Sequence, residues 1–218
     1  MAAFDIFARI LVTLALGAVT AVQVAVGAFA IAALLGLLLA ICRTFTRSRL
    51  LQWAIAGYIE WMRNVPALAH LFLLYFGLAA VGLRLSPLTA AVIGLGLVGA
   101  AILCDVFASG LKSLHVGQRE AALSVGLTPI KTLRHVLLPQ MLRVTLPSLG
   151  NYVSQMLKDT SIASAIAAPE IMFFARNLVT STFETTLIYL AAMLLYAAMI
   201  LPISWVFART ERHLETQR

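Results

Sequence analysis

Arg119 to Pro139 reads REAALSVGLTPIKTLRHVLLP, a charged, glycine-punctuated island in a chain whose mean hydropathy is +0.96. Glu120 falls in the first turn of a helix that begins after Gly117, where the helix dipole favours a carboxylate and free backbone donors need an acceptor. Ala121 and Ala122 combine the highest helix propensity with almost no side chain, so such a helix can lie close against a groove on another protein. Gly126 is placed to end it in a left-handed conformation, Thr128 to cap the next helix and Pro129 to occupy that helix's first position. The prediction is two helices meeting at an angle within a loop region of about 112–145. Local signals alone leave a surface hairpin and a docking element equally open.

The rest of the chain is far more apolar. Of 218 residues, 61% are hydrophobic and 11% charged, against roughly 45–50% and 25% in a soluble domain. Runs near the ~20 residues that a membrane span needs lie at Leu16 to Ile41, Leu50 to Leu83, Leu88 to Leu111, Leu146 to Ala168 and Thr185 to Phe207. About five transmembrane helices are expected. The second run is too long for one upright span, and Pro66, after Arg63 and Asn64, kinks or divides it.

Basic residues set the orientation, because short cytosolic loops retain positive charge. Arg43, Arg47, Arg49, Lys112, Arg119, Lys131, Arg134, Arg143, Arg209, Arg212 and Arg218 fall on one side, and only Arg9, Arg84 and Arg176 on the other. This places the N-terminus outside, the C-terminus in the cytosol and the 112–145 loop in the cytosol. The net charge of +7 is then an orientation signal, not a basic face for nucleic acid. Ala28-Phe29-Ala30 imitates a signal-peptide cleavage site, but the apolar run continues to Ile41 and is read as a retained helix. Cys42 and Cys104 are expected to be reduced packing residues. The segment from about Pro169 to Glu184, with Glu170 and Arg176, is expected as a short outer-surface helix, either a solvated connector or a contact for an external partner.

No G-x-x-x-x-G-K-[ST] phosphate loop, paired-histidine metal site or G-x-S-x-G nucleophile frame occurs in the sequence, which argues against an enzyme. What stands out instead is charge within spans, which costs about 2.5–3.5 kcal/mol per group at a helix centre. Glu60 and Arg63 are spaced i, i+3 on one helix face and can pair. Counting from Leu50 puts them roughly 15–20 Å from the cytosolic end. Lys158 and Asp159 reach a similar depth from Leu146, so the two patches are expected to approach each other near the midplane. Asp105 lies nearer the cytosolic end of the third span, as a gate contact or an unpaired acid.

The spacing Glu120-Ala121-Ala122, three residues, Gly126, nine residues, Val136, then Leu138 and Pro139 resembles the EAA loop of ATP-binding-cassette (ABC) importer permeases. Tyr58 to Pro66 resembles the Y-[VI]-E-x-x-R-x-x-P stretch of the polar-amino-acid subfamily, and Lys158-Asp159-Thr160-Ser161 its K-D-T-S segment. The likeness runs from about Val22 to Arg212. It implies an all-α, polytopic type I importer fold, a single permease domain over 1–218, in the bacterial cytoplasmic (inner) membrane. It implies a non-enzymatic subunit that holds no cofactor, since ATP is bound by cytosolic ATPase partners docked on Glu120, Ala121, Ala122, Gly126, Val136 and Pro139. The further implied partners are a second permease subunit and an extracytoplasmic solute-binding protein, with an amino acid as cargo and no nucleic acid. Glu60, Arg63, Asp105, Lys158, Asp159, Thr160 and Ser161 are the candidate substrate path. Two departures stand out: Ala108 replaces an arginine usual three positions after the acid at 105, and His115 replaces a proline before the docking helix. A secondary transporter or channel is the competing class; it accounts for the midplane charges but not for the EAA spacing, and no inverted repeat is visible.

Overall fold

A computed structural model describes residues 2–215 of the chain, with side chains described for 7–210. Arg218 lies outside the described residues, as do the side chains of Arg212 and His213. Every regular element is a helix: α1 (Ala2–Phe45), α2 (Arg49–Asn64), α3 (Ala67–Ala80), α4 (Pro87–Lys112), α5 (Val116–Ser124), α6 (Pro129–Ile166), α7 (Ile171–Thr182) and α8 (Thr185–Glu215). Phe7–Phe45, Pro87–Lys112 and Thr185–Thr210 are each long and apolar enough to cross a membrane. Two bent pairs, α2 with α3 and α6 with α7, raise the number to five if each pair counts as one span.

The break expected at Pro66 is sharp: α2 and α3 meet at 102°. A residue before proline is pushed out of the α region, and Val65 accordingly sits at φ −96°, ψ 133°. The helix that carries the apolar run from Leu146 begins well before it. Helix α6 runs on from the Thr128 cap through Pro139 and Pro147, so the second helix of the hairpin and the span are one element. Proline at 139 has no N–H for the carbonyl four residues back, and the turn before it, Leu133–Leu137, opens into a π-helical turn in which the Leu138 N–H bonds to the Leu133 carbonyl. The hairpin and the span are therefore mechanically continuous.

Helix α1 is apolar all round, the pattern of a helix that meets both protein and lipid. Leu14, Gly17, Ala21, Val24, Ala28, Ala32, Gly36 and Ala40 form its buried stripe, while Val12, Leu16, Val26 and Leu34 on the other side are exposed. The stripe meets the small-residue face of α4, where Ala90, Ala91, Ala100 and Ala101 are fully buried. Small residues let helix backbones approach closely where hydrophobic burial gives little drive between membrane helices. At Gly17 the approach is to backbone: a Cβ there would lie 2.6 Å from the Glu170 carbonyl carbon and the Ile171 nitrogen.

Two apolar clusters result. The larger joins the second half of α1 with α2, α3, α4 and α6. The smaller gathers Ile10 and Leu14 of α1, Ile171 and Ala175 of α7, and Ile188 and Ala191 of α8. Thus α7 is built into the bundle and is not a purely surface element. Glu170, expected on a solvated or partner-facing segment, is fully buried. It caps α7, its Oε1 accepting from the Phe173 N–H at 2.8 Å and its Oε2 from the Met172 N–H at 2.9 Å, while the Tyr196 hydroxyl donates to Oε2 at 2.6 Å. Cys104 is buried as expected, but Cys42 is exposed.

Candidate functional site

The hairpin is assembled by local chemistry. Thr128 caps α6 with its hydroxyl accepting from the Lys131 N–H at 3.4 Å, and Pro129 takes the first position. Gly126 adopts φ +82°, and the Leu127 N–H bonds to the Ala122 carbonyl at 3.1 Å, the paired closure that a left-handed glycine allows at a helix end. The N-terminus of α5 is different from the expected one. It starts at Val116, and the capping group is the His115 ring, whose Nδ1 accepts from the Gly117 N–H at 3.1 Å. Glu120 therefore sits beyond the first turn, exposed, and not as a terminal partner of the helix dipole. Histidine in place of proline supplies a side-chain acceptor where proline supplies only a fixed φ.

The six docking candidates divide by exposure. Glu120, Ala121, Gly126 and Pro139 lie on the surface, whereas Ala122 is buried and Val136 half-buried against the rest of the hairpin. Gln140 locks the two helices, its Nε2 donating to the Gln118 Oε1 at 3.2 Å and the Val136 carbonyl at 3.0 Å. Around Glu120 the hairpin also exposes Val116 (68%), Val125 (78%) and Ile130 (78%). These three exposed apolar side chains lie on the same hairpin as the docking candidates, and sequence reading had not singled them out. Arg119 reaches the other way and lies over the Phe45 ring at 5.7 Å, tying α5 to the end of α1.

Two residues before Phe45, Arg43 enters the charged cluster. Its Nη1 meets Asp105 Oδ1 at 2.6 Å, and Arg63 Nη1 meets Asp105 Oδ2 at 2.6 Å. One carboxylate thereby joins α1, α2 and α4. Asp105 is not an unpaired acid, and the arginine missing at 108 is made up by two cations from other helices. The expected Glu60–Arg63 pair does not form. Glu60 Oε2 instead accepts from the Asn64 side-chain amide at 2.9 Å, because the long Arg63 side chain reaches a carboxylate on α4 that has no donor on its own helix. Arg63, Asn64, Pro66, Ile102 and Asp105 border an open cleft of about 720 Å³ beside the α2–α3 break.

The second patch is bonded locally. Asp159 Oδ1 accepts from the Gln155 amide at 2.8 Å. Thr160 is fully buried and donates to the Leu157 carbonyl at 2.7 Å, and Ser161 donates to the Lys158 carbonyl at 2.8 Å. Lys158 and Ser161 open, with Tyr189 and Tyr196, onto a different cleft of about 380 Å³. Among the described residues no hydrogen bond or ion pair links Glu60, Arg63 or Asp105 to Lys158 or Asp159; each patch is bonded within its own surroundings. Nor does a metal-binding cluster occur among the described residues.

Apolar spans and bent pairs with ion-paired charges between their helices define a polytopic membrane protein. Residues 32–216 match the family described as the binding-protein-dependent transport system inner membrane component, and the chain belongs to that family, the permeases of ABC importers. It is 37% identical over 165 residues to a probable amino-acid ABC transporter permease, YckA, of Bacillus subtilis (strain 168), covering 76% of this chain and 73% of that one. It is 33% identical to the probable glutamine permease GlnM of the same organism, covering 83% of each. In structure it is similar to a protein described as an amino acid ABC transporter with histidines, with TM-score 0.84, 27% identity and 97% of each chain covered. An inward-facing MetNI methionine ABC transporter shares the fold at TM-score 0.73 and 19% identity, covering 98% of each chain.

The shared carboxylate generates a measurable coupling. A double-mutant cycle of Arg63→Gln and Asp105→Asn, read by unfolding of the purified permease, is expected to give an interaction energy of about 0.5–1 kcal/mol, because these side chains keep a third to a half of their surface exposed and water screens such pairs. A coupling indistinguishable from zero would contradict the geometry.

Proposed function

We propose that this permease imports an amino acid, with the α5–α6 hairpin in the cytosol as the seat of a separate ATPase and the C-terminus on the same side. The carrying observation is the patch of Val116, Val125 and Ile130 around Glu120, apolar surface on a polar hairpin that the chain itself leaves uncovered. The asymmetry of eleven basic residues against three supports the orientation. The cargo class rests on similarity to permeases named for amino acids, glutamine and, in TcyL of Bacillus subtilis (strain 168), L-cystine. A second permease subunit and an external solute-binding protein complete the assembly.

The mechanics follow from rigidity. ATP binding draws the ATPases together and displaces α5. Because Gln140 fixes α5 to α6 and α6 is continuous into its span, the displacement moves that span directly. Through Arg119 on Phe45 it also reaches the end of α1, and through Arg43 the shared carboxylate beside the break at Pro66. A zwitterionic amino acid crossing the bundle needs a cation for its carboxylate and an anion for its ammonium where water is scarce. Arg63 or Lys158 serves the first end and Asp159 or Glu60 the second, with the Ser161 hydroxyl beside Lys158 on the second cleft. Thr160, buried and bonded to backbone, acts by holding this turn.

Two substitutions test the two halves separately. Glu120→Arg, at an exposed site where the fold loses little, is expected to reduce copurification of the ATPase at least tenfold with the permease's thermal unfolding unchanged; wild-type recovery of the ATPase would overturn the docking assignment. In the assembled transporter, Asp159→Asn is expected to lower amino-acid-stimulated ATP hydrolysis while leaving subunit stoichiometry intact. Unaltered stimulation across a panel of amino acids would remove Asp159 from the path.

A further inference from the structure

Three helix ends meet at one level of the bundle: the last turn of α1 with Arg43, the first turn of α2 with Arg49, and the last residue of α4, Lys112. Between them lies a cavity of about 600 Å³ lined by Arg43, Arg49, Gln52, Trp53, Ala56 and Lys112. Its charge is unbalanced. Both ion pairs among the described residues belong to Asp105, and Asp105 divides its two oxygens between Arg43 and Arg63. Arg49 and Lys112 are left with no carboxylate within ion-pair distance, and no acidic side chain lines the cavity.

The surroundings decide what kind of anion fits. Two apolar spans, Phe7–Phe45 and Pro87–Lys112, end at this level, which makes it a boundary between hydrocarbon and water. Trp53, in the wall, is 78% exposed, and Leu50, next to Arg49 in sequence, 82%; an exposed tryptophan beside basic residues is the usual composition of a membrane interface. A soluble anion would gain nothing from that apolar rim. A phospholipid would place its acyl chains along it and its phosphate among the cations.

We propose that this cavity binds the headgroup of one anionic phospholipid. The phosphate lies between Arg49 and Lys112 with Arg43 behind it, the Gln52 amide meets the polar headgroup, and Trp53 packs along the glycerol and upper chain. Because Arg43 also holds Asp105, the lipid sits one residue away from the carboxylate that joins α1, α2 and α4. The site is independent of which solute the permease carries.

The test uses the full-length permease in mild detergent, titrated with phosphatidylglycerol or phosphatidylcholine and read by native mass spectrometry. One phosphatidylglycerol per chain is expected to be retained in preference to phosphatidylcholine. Each basic group near an anionic lipid contributes about fivefold in affinity, so Arg49→Gln with Lys112→Gln is expected to weaken retention about thirtyfold, and Lys112→Gln alone about fivefold. Arg49→Lys with Lys112→Arg is expected to retain the lipid, and so is Arg84→Gln on the loop between α3 and α4. Equal retention by wild type and the double glutamine variant, or equal binding of phosphatidylcholine, would overturn the proposal. So would displacement of the lipid by inorganic phosphate, which would make this a soluble-anion site, or efficient chain-to-chain cross-linking through Leu50→Cys, which would assign the face to a second copy.

Discussion

The carboxylate of Asp105 is the point on which the arrangement of charge depends. Each of its oxygens takes one guanidinium, Arg43 from α1 and Arg63 from α2, at 2.6 Å. An acid inside a membrane bundle is tolerated when it is paired, and a pair drawn from different helices fixes those helices relative to one another. Because all three side chains are partly exposed, the tie is of modest strength. It holds the helix ends in register, yet a modest displacement can undo it, and it stands beside the 102° break where α2 gives way to α3.

The hairpin is joined to the bundle by two routes of different stiffness. One is covalent: α6 carries the hairpin straight into its span, with a π-helical turn in place of a break before Pro139. The other passes through Arg119, Phe45 and Arg43, side chains at the far end of α1. At the opposite end of the bundle, Glu170 anchors α7 to α8 through Tyr196, and Gly17 lets α1 approach its backbone.

Local chemistry was legible in the sequence, and long-range pairing was not. Gly126, Thr128 and Pro129 announced the hairpin, and Pro66 the break, because turn and cap preferences act within a few residues. The pairing of Glu60 with Arg63 followed from helix spacing alone and failed, since spacing is blind to a carboxylate 42 positions on in sequence. Glu170 read as surface because it falls in the charged outward segment from about Pro169 to Glu184; only the fold reveals that its two backbone partners and Tyr196 satisfy it in the interior. The apolar run from Leu146 marked only part of a helix that begins at Pro129, because apolarity is blind to a polar first half and a helix absorbs Pro139 and Pro147 by a local change of hydrogen bonding. Arg43 was counted only as an orientation charge, and nothing local distinguishes a loop arginine from one that reaches back into the bundle.

The side of the membrane on which α5 lies decides the whole scheme. With Cys42 and Cys104 replaced by serine, Val125→Cys offers an exposed thiol for a membrane-impermeant maleimide in right-side-out and inside-out vesicles. Reaction only in inside-out vesicles, and its protection when the ATPase is bound, is the expected result. Reaction in right-side-out vesicles would place the hairpin outside the cell and contradict its role as the ATPase seat.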